Sequence, residues 1–260
     1  MAILQSRTQT GISWIKESIV LFKTAPRKWL LLALAYVGFF MMLPSVPGLQ
    51  FLAFISILIW PIFLAIAIAL YRNADMKKQQ NLGEIIQSIK PKMPQLIGLG
   101  FACLLYAVLI SFVLNSDLQG LATLAQNKDK MTESQMAAFM QKVLPVFFKM
   151  LFLSIPLLMA TWFSPMLIAF NNYSLLKAIK SSIAGTLQYV IALTAAWLLL
   201  TAGVLALMMG VGIIAGVVSA LVPVLGQLLI PFILFGCMLL ATALLLAFQY
   251  VSYRDVFRAA

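Results

Sequence analysis

Side chains that do chemistry are scarce in this sequence. Its seven acids are Glu17, Asp75, Glu84, Asp117, Asp129, Glu133 and Asp255, and it has no histidine. Without an imidazole, the usual general base, proton shuttle and commonest transition-metal ligand are missing. No two acids stand at metal-ligand spacing, and there is no phosphate-binding glycine loop, HExxH or GxSxG arrangement. None of the seven falls near the middle of an apolar run, where an ionisable group is costly unless it is used. Hydrolysis, group transfer and proton-coupled antiport through a buried carboxylate are therefore not expected. The chain reads as a non-enzyme with no catalytic residue, no cofactor and no metal site. Cys103 and Cys237 lie inside apolar runs, so they read as small core residues rather than a disulfide or a zinc site.

Basic side chains are the chemistry that remains. Lys and Arg number 18 against 7 Asp and Glu, a net charge of +11. Lys16, Lys23, Arg27, Lys28, Lys90, Lys92, Lys177 and Lys180 lie on or beside short amphipathic stretches. Cations flanking an apolar stripe suit the phosphates of anionic headgroups, so these eight are the candidate anionic-lipid contacts. Orienting the helices that carry them is the plainer use. No nucleic-acid partner is expected, because the charge is spread over four juxtamembrane segments with no folded soluble module to organise it. Within the apolar runs the polar groups are hydroxyls such as Ser111, Ser154, Thr161, Ser164, Thr194, Thr201 and Thr242. Interhelical hydrogen bonding accounts for them, and lining a solute path is the alternative.

The amphipathic stretches share the pattern Ile-x-x-Ser-Ile, at Ile15/Ser18/Ile19, Ile85/Ser88/Ile89 and Ile179/Ser182/Ile183. On a helix, Trp14, Ile15, Ser18, Ile19 and Phe22 share one face. Leu82, Ile85, Ile86, Ile89 and Met93 do so in the second copy, and Leu175, Leu176, Ile179 and Ile183 in the third. Each copy precedes a long apolar span. With 63% hydrophobic and 10% charged residues and a mean hydropathy of +1.03, the chain has more apolar surface than a globule of this length hides. Lipid must be its solvent. Apolar runs at about 29–43, 49–71, 95–115, 146–170, 187–210 and 226–250 give six candidate transmembrane helices. The expected fold is an all-α membrane protein, one integral domain over 1–260. It is built as three repeats of interfacial amphipathic helix plus helical hairpin, at about 11–71, 82–170 and 172–250.

Fourteen of the 18 basic residues fall on one side of this arrangement, which makes that side, with both termini, cytoplasmic. No cleavable signal peptide is expected, and the first span serves as the targeting signal. Ile15 to Ile85 is 70 residues and Ile85 to Ile179 is 94, so the second unit carries a periplasmic insert at about 116–145. Thr132 and Gln135 form a capping-box pair there, followed by Met136, Phe139, Met140 and Val143 at helical spacing, which predicts a short amphipathic helix over 133–144. Gly210, Gly212, Gly216, Pro223 and Gly226 divide the last two spans, with a re-entrant segment at 211–224 as an alternative. Gly212 and Gly216 with Ala215 would form a small-residue face for tight packing. Pro61, Pro156, Pro165 and Pro231 would kink the second span of each unit. Trp14, Trp29, Tyr71, Tyr250 and Tyr253 fall where an aromatic belt is expected.

The stretch Trp162-Phe163-Ser164-Pro165-Met166-Leu167-Ile168-Ala169-Phe170, then Leu176-Lys177-Ala178-Ile179-Lys180-Ser181-Ser182-Ile183, looks like a pattern found in bacterial six-span membrane proteins. Together with Trp14, Leu21-Phe22, Pro26 and Trp29, it resembles the uncharacterised proteobacterial inner-membrane proteins related to the YciC-like family. The resemblance covers most of the chain except 116–144 and carries no catalytic residue. It implies a six-helix inner-membrane protein. The leading expectation is a non-enzymatic scaffold that modulates the bilayer or an envelope protein partner through its basic helices and anionic headgroups. The alternative is a transporter or channel for a lipid-like or small neutral solute. A filled bundle core with an exposed apolar or small-residue face would favour the first, and a water-accessible cavity lined by the hydroxyls the second.

Overall fold

The computed structural model describes residues 2–125 and 133–257, and all regular structure among them is helical. In chain order the helices are α1 (Ala2–Thr24), α2 (Pro26–Val37), α3 (Leu43–Ser45), α4 (Leu52–Asp75), α5 (Leu82–Ile89), α6 (Met93–Ala125), α7 (Glu133–Thr161), α8 (Ser164–Asn171), α9 (Leu175–Gln188), α10 (Val190–Leu221) and α11 (Pro223–Phe257). A π-helical stretch, Gly38–Met42, joins α2 to α3, and a 3₁₀ turn, Lys90–Lys92, joins α5 to α6. Six segments are long and apolar enough to cross a membrane: Pro26–Ser45, Leu52–Asp75, Leu82–Leu121, Phe139–Asn171, Val190–Leu221 and Leu229–Phe257. The chain is an all-helical, multi-pass protein on that basis.

Proline marks the helix starts where its missing N–H costs nothing. Pro26 begins α2, Pro165 opens α8, and Asn81 caps α5 by accepting the Glu84 backbone N–H at 2.9 Å. Pro61, Pro145, Pro156 and Pro231 instead lie inside continuous helices. Expected boundaries give way in two places. The helix predicted over 133–144 does not stop there but runs unbroken through α7, and α6 continues to Ala125, so the polar residues extend a helical hairpin. Lys149 and Asp117 tie its two arms at 2.6 Å. Thr132 lies outside the described residues. The glycines of α10 do not interrupt it, since each keeps its backbone N–H and costs a helix only about 1 kcal/mol relative to Ala, and the turn falls at Val222 rather than in a re-entrant segment.

The described core gathers at one end of the bundle. Trp14, Trp29, Tyr71, Phe163, Tyr250 and Tyr253 are fully buried there, where α1, α8 and α9 meet the start of α10 and the ends of α4 and α11. The five Trp and Tyr expected as an aromatic belt are therefore core residues, covered by helices that sequence reading laid on the surface. Trp29 stacks on Tyr71 with centroids 3.9 Å apart, and the Tyr71 hydroxyl donates to the Ala243 carbonyl at 2.8 Å. Toward the other end the arms are apolar and open: Phe112 is 82% exposed, Phe152 73%, Leu221 78% and Phe232 74%. That is the surface expected to meet lipid.

The three pentapeptides sit on α1, α5 and α9 and use their residues differently. In α1, Gly11, Trp14, Ser18 and Leu21 are buried, while Ile19 and Val20 are exposed, so the face expected to pack is rotated. In α5, Ile85 and Ile89 are buried, with Leu82 and Ile86 exposed. In α9, Ala178, Ser182 and Gly185 are buried and Leu176 is exposed. In α9 the small residues let the backbones close up, whereas α1 and α5 bury large side chains as well.

Among the described glycines, two stand closest to a neighbouring helix. A Cβ on Gly11 would stand 2.3 Å from the Ala192 carbonyl oxygen of α10, and one on Gly100 would stand 2.4 Å from the Leu58 carbonyl oxygen of α4. By contrast, Gly212 and Gly216, expected to support tight packing, have nothing within 4 Å of such a Cβ. Gly100→Val should force α6 from α4 and cost about 1–3 kcal/mol, read as a lower Tm in detergent. Gly210→Ala, in open space, should match the wild type or slightly exceed it.

Candidate functional site

Two clefts of about 510 Å³ each, both partly open to the surface of the bundle, lie among the spans and share part of their lining. Both volumes fall within the about 300–1,000 Å³ typical of small-molecule sites. The first is walled by α2, α4, α7, α10 and α11, and the second by the first span, α4, α6 and α7. Tyr36, Trp60, Leu158 and Thr161 border both and form a partition. The Trp60 indole N–H donates to the Tyr36 hydroxyl at 3.2 Å, which leaves the tyrosine proton free to donate. A smaller cavity of about 160 Å³ adjoins the first across Trp162 and Trp197.

Local irregularities position these walls. The π-helical stretch Gly38–Met42 brings Phe40 toward one cavity and Met41 toward the other. Between α7 and α8 the helix breaks at Trp162 and Phe163. Ser182 of α9 holds that break: its hydroxyl donates to the Met159 carbonyl at 2.7 Å and accepts the Phe163 N–H at 3.0 Å. The Gln249 amide of α11 donates to the Trp162 carbonyl at 2.8 Å. Backbone groups freed by the break are thereby satisfied, and Trp162 is set into the cavity wall. Its own Nε1 is buried without a partner.

The lining is apolar with a few hydroxyls, and none of the described lining residues is charged. Of the hydroxyls singled out in the sequence, Thr161, Thr201 and Thr242 line the first cleft and Thr194 the adjoining one of about 160 Å³. Thr161 and Thr242 donate to the Leu157 and Met238 carbonyls, keeping acceptor lone pairs. Ser111 and Ser154 lie elsewhere, exposed and bonded back to their own helices, and Ser164 is buried outside the cavities. Cys103 lines the second cavity as a free thiol, and Cys237 is free and buried in α11.

A second polar constellation closes the packed end. Arg254 near the end of α11 pairs with Glu17 of α1, with Asp75 at 3.1 Å and with Asp255 at 2.9 Å. Trp14 Nε1 donates to Asp255 at 2.8 Å, and the Tyr250 hydroxyl donates to Asp75 at 2.7 Å. Three of the seven acids thus meet at one guanidinium, beside a cleft of about 290 Å³ that Lys77 also borders. The geometry is that of a clasp between α1, α4 and α11. Sequence spacing hides it, because its members are up to 241 positions apart.

Of the eight basic candidates, Lys16, Lys23, Arg27, Lys28, Lys90, Lys177 and Lys180 are exposed and Lys92 is half-buried. Alternation of the spans puts all eight toward the clasp end, but none lines the cavities. Lys177 sits 4.0 Å over the Tyr173 ring and Lys28 5.3 Å over Trp29. Among the described residues no group of three or more His, Cys, Asp or Glu is placed to hold a metal ion. Compared with protein-family models, curated proteins and solved structures, the chain matches none.

Proposed function

We propose that this is a bacterial inner-membrane protein that holds an uncharged, lipid-like molecule between its spans, in the service of lipid binding or transport. The paired apolar cavities carry this reading. Two partly open clefts of about 510 Å³, meeting at one partition and lined almost wholly by apolar side chains, have the size and chemistry of a small-molecule site suited to hydrocarbon. An apolar cavity gives water too few hydrogen bonds to fill it, whereas a hydrocarbon chain loses nothing on entering. The exposed apolar arms fit a scaffold as well, and it is the size of the clefts, with Thr161, Thr201 and Thr242 in the lining of the first, that favours the transport alternative. In the same proposal both termini are cytoplasmic, the chain is a triplicated helix-plus-hairpin unit, and the eight basic residues bind anionic headgroups.

The chamber has a built-in probe, since Trp60, Trp162 and Trp197 line it while Trp14 and Trp29 are fully buried at the clasp end. Dioleoylglycerol brominated across its double bonds, titrated in nonionic detergent, should quench part of the tryptophan emission and saturate near one lipid per protein. Quenching that only tracks lipid mole fraction would mean contact from the surrounding lipid alone, and would sink the proposal.

A further inference from the structure

We propose that the chamber is a two-chain site: one uncharged glycerolipid seats one hydrocarbon chain in each compartment, straddling the Tyr36–Trp60 partition. This rests on the lipid-site reading above. The two compartments have similar volumes, about 510 Å³ each, and meet at Tyr36, Trp60, Leu158 and Thr161. A single long chain would fill one and leave the other empty.

Polar groups lie where two chains would join. The Tyr36 hydroxyl, with its spare proton, and Thr161, with acceptor lone pairs, belong to the partition itself. Ser56 adds a hydroxyl on the side of the second compartment. Away from the partition, Cys103 and Ala107 line the second compartment, and Val204 and Leu205 line the first. One ester carbonyl at the head of two chains can accept the Tyr36 hydroxyl proton, and one free hydroxyl can donate to Thr161 or Ser56.

Charge decides the headgroup. None of the described lining residues is ionised, so a phosphate drawn to the partition would be desolvated without a counterion. The eight basic candidates line neither compartment and do not supply one. A diacylglycerol-like molecule meets both conditions. Hydrophobic transfer contributes little to the choice, because the competing bilayer is as apolar as the cavity. Selectivity comes from chain number and from the hydrogen bonds at the partition.

The test compares dioleoylglycerol with monooleoylglycerol, titrated onto the full-length protein in nonionic detergent and read by native mass spectrometry. The wild type should bind the two-chain lipid at least about tenfold more tightly. Ala53 and Ala107 border only the second compartment. Ala53→Trp and Ala107→Phe should each bring dioleoylglycerol down to the level of monooleoylglycerol and leave the latter unchanged. Equal binding of the two lipids to the wild type would overturn the two-chain proposal while leaving the chamber a lipid site. So would an undiminished preference in both folded variants. Binding of neither lipid to the wild type would overturn the chamber reading along with it.

Discussion

Arg254→Met should lower the thermal stability of the protein more than any other change to an exposed or half-exposed charge. The substitution keeps most of the side-chain volume but leaves Glu17, Asp75 and Asp255 gathered at one place without their shared cation. Hydrogen bonds to charged groups are worth about 1.5–3 kcal/mol. The Arg254 side chain is 23% exposed, so water softens the loss below the about 3–5 kcal/mol of a fully buried broken pair. The loss concentrates on α1, whose hold on the bundle at this point is Glu17 together with Trp14 on Asp255. Thermal unfolding in detergent measures it. Adding Glu17→Gln, Asp75→Asn and Asp255→Asn to Arg254→Met should recover much of the lost stability, because the uncompensated charge is then gone. An unchanged Tm for Arg254→Met alone would show that the clasp does not hold the helices.

Filling the chamber should have the opposite signature, a large loss of ligand with little loss of fold. Ala241 of α11 borders the first cavity and is only half-buried. Ala241→Trp projects an indole into space that is already empty, so the usual cost of overpacking a filled core is avoided. Saturable quenching by brominated dioleoylglycerol should weaken at least about tenfold, which is about 1.4 kcal/mol. The Tm of the lipid-free variant should stay at or above that of the lipid-free wild type. Retained quenching in the folded variant would place the lipid elsewhere on the protein.

The two constellations differ in how far the sequence revealed them. Span number followed from run length and hydropathy, which are local properties, and six span-length helices are present. The clasp was hidden because Glu17, Asp75 and Arg254 come from distant parts of the chain, and each alone looks like a loop or interfacial charge. Trp14, Trp29 and Tyr71 have the span-end positions of belt residues. Only the docking of α1 and the stacking of Trp29 on Tyr71 turn them inward. Ser182 showed itself as part of a repeat, yet its work is to satisfy the break at Phe163, which no periodicity announces. Thr161, Thr201 and Thr242 were visible as polar points in apolar runs. That they share a cavity depends on where helices diverge, and divergence is a property of packing between arms rather than of any one of them. The two tight glycines make the same point, since Gly11 and Gly100 look less like packing motifs than Gly212 and Gly216 do, and are the ones in contact.

The most direct measurement is native mass spectrometry of the protein taken from its own membrane in mild nonionic detergent, with the bound species identified after release. The account predicts about one equivalent of an uncharged lipid on the wild type and its loss from Ala241→Trp. Anionic phospholipids would be carried equally by both. A wild type without any uncharged lipid, or one that shares the same lipids in the same amounts with Ala241→Trp, would contradict it.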